Sequence, residues 1–199
     1  MGQGGTRNPA DDFASDYAWD TRPTLKDCSK FLSVQPSSEK INRLVREVAR
    51  AYNVEACVLT LHSCGTFHFY ASYGLEPSVK TPPRGAGSSF EFVFFCHHIS
   101  RDLPIVIQDV TKHLVARDQP LATGEQKTRF YVGAPLIWEA GTYLGTLSIF
   151  DNSPRTFNMA ECELLKEKAE EFVNFFKRTI GHKRQRSTGA SNELAAAVN

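Results

Sequence analysis

Residues 129–165 read RFYVGAPLIWEAGTYLGTLSIFDNSPRTFNMAECELL. Two apolar runs, RFYVGAPLIW over 129–138 and YLGTLSIFD over 143–151, flank the link Glu139-Ala140-Gly141-Thr142. A link of that length and turn chemistry predicts an antiparallel hairpin, and the pair is placed at the centre of a sheet. Gly133 and Gly145 permit close backbone approach or a bulge on these strands, while Pro135 interrupts pairing and bends its strand. After Asp151, Asn158 followed three residues later by Glu161 forms a capping box, with Phe157 as staple partner of Cys162. Leu165, Ala169, Phe172 and Phe176 then recur at helical spacing, so the stretch ends in a long helix with one apolar stripe.

Upstream, PIVIQDV over 104–110 reads as a short buried strand, and TKHLVARDQPLATGEQ over 111–126 as a helical turn with a loop. Before it, FEFVFFCHHI over 90–99 is apolar, and YGLEPSVKTPPRGAG over 73–87 is a Pro- and Gly-dense loop. EACVLTLHS over 55–63 and FHFYAS over 67–72 make a second hairpin across a Cys-Gly turn. In EKINRLVREVARAYN, residues 39–53, Ile41, Leu44, Val45, Val48 and Tyr52 share one helical face, with Lys40, Arg43, Arg46 and Arg50 mainly on the other. The order of helix, two strands, irregular middle, strand, two strands and helix is that of an α+β fold with an antiparallel sheet, both long helices being free to cover one face.

The chain has 199 residues, 41% hydrophobic and 23% charged, which suits one globular domain with tails and excludes two full catalytic domains. Lys and Arg number 23 against 22 Asp and Glu, a net charge of +1 that gives no electrostatic reason for a nucleic-acid partner. Residues 1–22 read as a flexible N-terminal arm, 23–180 as the folded domain, and 181–199 as a disordered C-terminal tail. The apolar runs fall well below the ~20 residues of a bilayer span. With no secretory signal, a cytoplasmic, reducing compartment is the default. Cys28, Cys57, Cys64, Cys96 and Cys162 are odd in number and without CxxC spacing, which fits free thiols better than disulfides or a structural zinc site. The start, MGQGGT, matches an N-myristoylation acceptor with Gly2 as the acyl site and Thr6 at the favoured position. One acyl chain supports only weak membrane association, which Asp11, Asp12, Asp16 and Asp20 would oppose. Lys177, Arg178, Lys183, Arg184 and Arg186 are the available second signal.

Taken together, residues 129–165 resemble the C-terminal half of a GAF domain. Gly133, Pro135, Leu136, Gly145, Thr146, Leu147, Asp151, Pro154, Arg155 and Phe157 fall in step with its G-x-P-L, G-T-L-x-x-x-D and P-R-x-F elements. Upstream, Phe95, Cys96, His98 and Ile99 resemble the F-C-x-H-x-I segment of a subgroup without chromophore, and Asp109 closes the strand that follows. The resemblance covers about residues 24–180. It implies an antiparallel sheet with the long N- and C-terminal helices packed on one face and a loop-rich, small-molecule pocket on the other, covered by segment 74–127. After Asp109 the sequence departs from the family, with KHLVARDQP in place of an aspartate-arginine-phenylalanine run.

The resemblance makes Phe95, Cys96, His98, Asp109, Arg129, Tyr131 and Thr146 the ligand-binding residues to examine. Against it stand ordinary structural roles: Cys96 as a small buried hydrophobe, Asp109 capping the following turn, Arg129 paired at the surface. Thioether attachment of a tetrapyrrole at Cys96 is conceivable, but FFCHHI fits the segment without chromophore. Adjacent His97 and His98 point differently on any regular element, so no metal site is expected. The cyclic-nucleotide phosphodiesterase motif asparagine-lysine-phenylalanine-aspartate-glutamate is absent. The expectation is a sensory or regulatory module that binds an unidentified small molecule, without catalysis and with no cofactor assigned, self-associating through its terminal helices. Two alternatives remain open. One is a thiol-dependent reductase of free methionine sulfoxide using Cys57, Cys64 or Cys96, although that branch's cysteine motifs are absent. The other is an interaction scaffold whose pocket is filled by side chains.

Overall fold

The computed structural model describes residues 39–63, 66–75, 103–114, 116–139 and 142–196. Helix α1 (Glu39–Ala51) leads into β1 (Ala56–Ser63) and β2 (Thr66–Tyr73). Then come β3 (Ile105–Ile107), 3-10 turns at Val110–Lys112 and Ala116–Asp118, and the short helix α2 (Pro120–Thr123). Strands β4 (Phe130–Glu139) and β5 (Thr142–Asp151) precede the long helix α3 (Met159–Ala196). The five strands form one antiparallel sheet in the order β2-β1-β5-β4-β3. This is the expected α+β class, and the 129–151 hairpin supplies the central strand, β5. Glu139 and Thr142 pair at its closed end, and the register shifts between Leu136 and Ile137, just past Pro135.

Side-chain alternation along the strands assigns the two faces. One carries Cys57, Leu59 and Leu61 of β1, Phe130, Val132, Ala134 and Leu136 of β4, and Leu147 and Ile149 of β5, all buried. Against it lie Ile41, Val45, Val48 and Ala49 of α1 and Leu165, Ala169, Phe172, Val173 and Phe176 of α3. The stripes that the sequence periodicity marked are therefore the helix faces that build this core. Both long helices pack on this one side.

The start of α3 is the expected capping box. The Asn158 N–H donates to Glu161 Oε2 at 2.8 Å and the Glu161 N–H to Asn158 Oδ1 at 3.0 Å. The Tyr52 hydroxyl, just beyond α1, donates to the Glu161 carbonyl at 3.2 Å, joining the end of one helix to the start of the other. Burial and the nearby Glu161 push that phenol up to about 12.

The backbone of α3 is described as far as Ala196. The arm over 1–22, with Gly2, lies outside the described residues. Among the described residues no helix is long and apolar enough to cross a membrane.

Candidate functional site: the sheet face away from the long helices

The face opposite the long helices carries Ala56, Val58 and Thr60 of β1, Tyr131, Gly133 and Pro135 of β4, and Thr146, Ser148 and Phe150 of β5. At its lower end a second apolar cluster joins Ala56, Val58, Tyr131 and Phe150 to Leu75, Ile107, Val110, Ala116, Leu121 and Ala122. The turns and short helix between β3 and β4 thus cap one half of this face with aliphatic side chains.

The other half is polar. Thr60 and Thr146 are direct cross-strand partners, 0% and 1% exposed, and neither hydroxyl has a hydrogen-bond partner. Ser148, two residues along β5 on the same face, is also buried, and its Oγ lies 3.2 Å from the Tyr131 hydroxyl. Ser148 pairs with Gly133, so the floor lacks a side chain beside the hydroxyls. The β1 and β5 backbones are held close by Gly145: a Cβ there would come within 1.9 Å of the Thr60 carbonyl oxygen. The G-T pair of the sequence therefore acts jointly, the glycine admitting the neighbouring strand and the threonine facing its partner hydroxyl.

A buried hydroxyl without a partner forfeits its hydrogen bonds to water, a cost of about 1–3 kcal/mol. Hydroxyls can donate and accept but carry no formal charge, so Thr60, Thr146, Ser148 and Tyr131 present neutral hydrogen-bonding groups on this face. Among the described residues no cluster of three or more His, Cys, Asp and Glu side chains could hold a metal ion.

The residues marked from sequence fall into three groups. Tyr131 and Thr146 lie on the floor just described. Asp109 caps the 3-10 turn, accepting from the Thr111 N–H at 3.1 Å and the Thr111 hydroxyl at 2.6 Å, and it pairs with Lys112 at 2.9 Å. The Thr111 hydroxyl, followed by Lys112, holds its carboxyl below the usual range. Arg129 donates through Nη1 to the carbonyls of Ala122 and Thr128, both at 3.0 Å. These two neighbour each other, since the Val110 N–H donates to the Arg129 carbonyl at 2.7 Å. Arg129 adjoins the Phe130–Asp151 pair whereas Thr146 pairs with Pro135, a separation of roughly 20 Å at about 3.3 Å per residue. Phe95, Cys96 and His98 lie outside the described residues.

Thr60 and Ser148 were not marked from sequence. The available signal was Thr60 between Leu59 and Leu61, and Ser148 between Leu147 and Ile149, but only the register brings these hydroxyls onto one patch. Cys57 belongs to the other face: it lies in the helix-covered core, and burial pushes its thiol well above the ordinary range. Cys162, also buried, is shifted upward by burial, then by Glu161 and Glu163.

The GAF domain family model matches residues 38–173. The chain belongs to the GAF domain family. A cyclic di-GMP phosphodiesterase of Pseudomonas aeruginosa is 43% identical over 87 residues, 44% of this chain and 14% of that protein, so the match spans a small part of that relative's length. Among solved structures, the GAF domain of PixJ from Thermosynechococcus elongatus, in its blue-light absorbing form, superposes with a TM-score of 0.59 at 12% identity, covering 74% of this chain and 88% of the other. A domain of a sensor histidine kinase protein from Sinorhizobium meliloti gives 0.58 at 16% identity, covering 75% and 97%. At such identities the structural matches establish the shared GAF fold.

Proposed function

We propose that this GAF domain is a sensory or regulatory module that binds a small molecule on the sheet face away from its long helices and performs no catalysis of its own. The observation that carries the proposal is the pair of buried, unpartnered hydroxyls of Thr60 and Thr146. Binding there would be read out by α1 and α3, which pack on the reverse of the same strands, so a change in sheet curvature reaches both helices. The relatives support a signalling setting: one acts as a cyclic di-GMP phosphodiesterase and another is part of a sensor histidine kinase. Native mass spectrometry of protein taken from its own cells tests this reading, with a bound small molecule as the expected result. A mass equal to that of the bare chain would favour a scaffold whose pocket is closed.

The thiol-reductase reading loses one of its three cysteines. Such chemistry needs a low-pKa thiol facing the substrate, and Cys57 lies on the opposite face with its thiol shifted the other way. Thiol-dependent loss of free methionine sulfoxide in the presence of purified protein would restore it.

Self-association through the terminal helices belongs to the same proposal. Met159 and Leu164, 71% and 53% exposed near the start of α3, support it, and sedimentation of the purified chain tests it. Acylation at Gly2 is a separate proposal, resting on the MGQGGT pattern, and a Gly2→Ala variant with unchanged distribution between membrane and soluble fractions would remove it.

A further inference from the structure

We infer that the part of the ligand in contact with the sheet is uncharged and bears a hydrogen-bonding edge such as a primary amide or lactam, not a carboxylate, phosphate or ammonium group. This inference rests on the pocket reading above and deepens it.

Thr60, Thr146, Ser148 and Tyr131 supply hydroxyls, each able to donate and to accept. An amide edge presents both a carbonyl oxygen and an N–H, and hydroxyls on adjacent strands can meet both at once. A carboxylate would need donors alone and an ammonium group acceptors alone, each with a countercharge that hydroxyls do not provide.

Among the described residues, the charges nearest the floor are engaged elsewhere. Asp109 is held by Thr111 and Lys112, and Arg129 by two carbonyls roughly 20 Å along the strands. Arg155 reaches the carbonyls of Tyr52 and Asn53 and lies 3.5 Å from Asp151. The lower half of the face is aliphatic and aromatic. A charge buried beside it is penalised, whereas a neutral hydrogen bond is strengthened by the low dielectric.

Three planar probes of nearly one shape separate the cases: benzamide is neutral, benzoate anionic and benzamidinium cationic. The readout is the shift of the Thr60 and Thr146 methyl signals in NMR spectra of the full chain, titrated at millimolar concentration. The expected result is saturable shifts with benzamide and affinity lower by about tenfold or more for the two charged probes, equivalent to at least ~1.4 kcal/mol. Thr60→Val and Thr146→Val should each weaken benzamide. Both variants keep a β-branched side chain and remove an unpartnered hydroxyl, so they should fold at least as stably as the parent. Thr128→Val, which removes a buried unpartnered hydroxyl in the segment preceding β4, should leave benzamide binding unchanged. Equal or tighter binding of benzoate or benzamidinium at the same methyls would overturn the inference and leave the pocket reading standing. Undiminished benzamide binding by both valine variants would overturn it as well. Shifts at these methyls with none of the three probes would also overturn it, while the native mass spectrum separately decides whether the pocket reading survives.

Discussion

Arg155 Nη1 lies 2.9 Å from the carbonyl oxygen of Tyr52, 103 residues earlier in the chain. The same atom donates to the Asn53 carbonyl at 3.2 Å, and Asn53 itself sits in the left-handed region at φ 49°. These carbonyls belong to the chain as it leaves α1, where helix ends leave acceptors unpaired and a cation is favoured. The guanidinium also lies over the Phe130 ring, 5.4 Å from its centroid, and the Arg155 backbone N–H donates to the Gln108 carbonyl at 3.1 Å. One residue thereby ties the end of α1, the sheet and the loop after β3.

Arg155→Ala should therefore destabilise the fold by about 2–3 kcal/mol, the sum expected for charge-assisted hydrogen bonds and a partly buried cation over an aromatic face. Arg155→Lys should recover less than half of this, because an ammonium group lacks the planar fork that bonds and stacks together. Urea unfolding of the three proteins checks both statements.

The capping box at α3 predicts a loss of about 1 kcal/mol for Asn158→Ala, since it strips the acceptor from the Glu161 N–H. Glu161→Ala removes the reciprocal acceptor, and the double variant should fall short of the sum because the two bonds form one unit. Thermal unfolding midpoints of the single and double variants measure the coupling.

Cys57 and Cys162 should resist alkylation in the folded protein. Burial raises both thiols, so the thiolate fraction at pH 8 is smaller than that of a free cysteine with its pKa of about 8.5. Peptide mapping after iodoacetamide should show both unlabelled under native conditions and both labelled in urea. Rapid native labelling of Cys57 would mean that the helix-covered core opens.

Asp109 should make stability depend on pH in one direction. Its carboxyl is held lower in the folded chain than in the unfolded chain, where about 3.9 is usual, so its contribution is complete above that value and disappears as pH falls through the folded one. The stability difference between the parent and Asp109→Asn should be largest near neutrality and shrink in acid. A difference that grows on acidification would contradict the Thr111 and Lys112 contacts.

Gly145→Ala should cost about 3 kcal/mol or more, because the added carbon would meet backbone atoms, with Thr60 O at 1.9 Å and Leu61 Cα at 2.8 Å. Those atoms cannot rotate away as a side chain would. Chemical unfolding reads the loss, and the Thr60 and Thr146 methyl signals should shift with it.

Much of the architecture was legible because its signals are local. The apolar stripe of α1, the hairpin around residues 139–142 and the Asn158–Glu161 box each lie within a few positions of one another. The site was less legible because its determinants are relational. Asp109 and Arg129 are polar groups near a strand end, and residue type alone does not say whether they face a ligand or hold a turn together. Thr60 looked like an ordinary strand residue until the β1–β5 register set it opposite Thr146. Arg155 stood in a recognisable P-R-x-F segment, but its partners lie 102 and 103 positions away, beyond any periodicity.

Gly145 pairs with Leu61 and Leu136, on the helix-covered side, while the hydroxyls face the other way. The gauge of the floor is thus set from behind by a missing carbon, and its chemistry is written in front by exchangeable side chains. Hydroxyls at positions 60 and 146 can be traded for methyl groups without altering that gauge. The side chains of this face can consequently change one substituent at a time on a fixed grid, whereas altering the grid itself puts the sheet at stake.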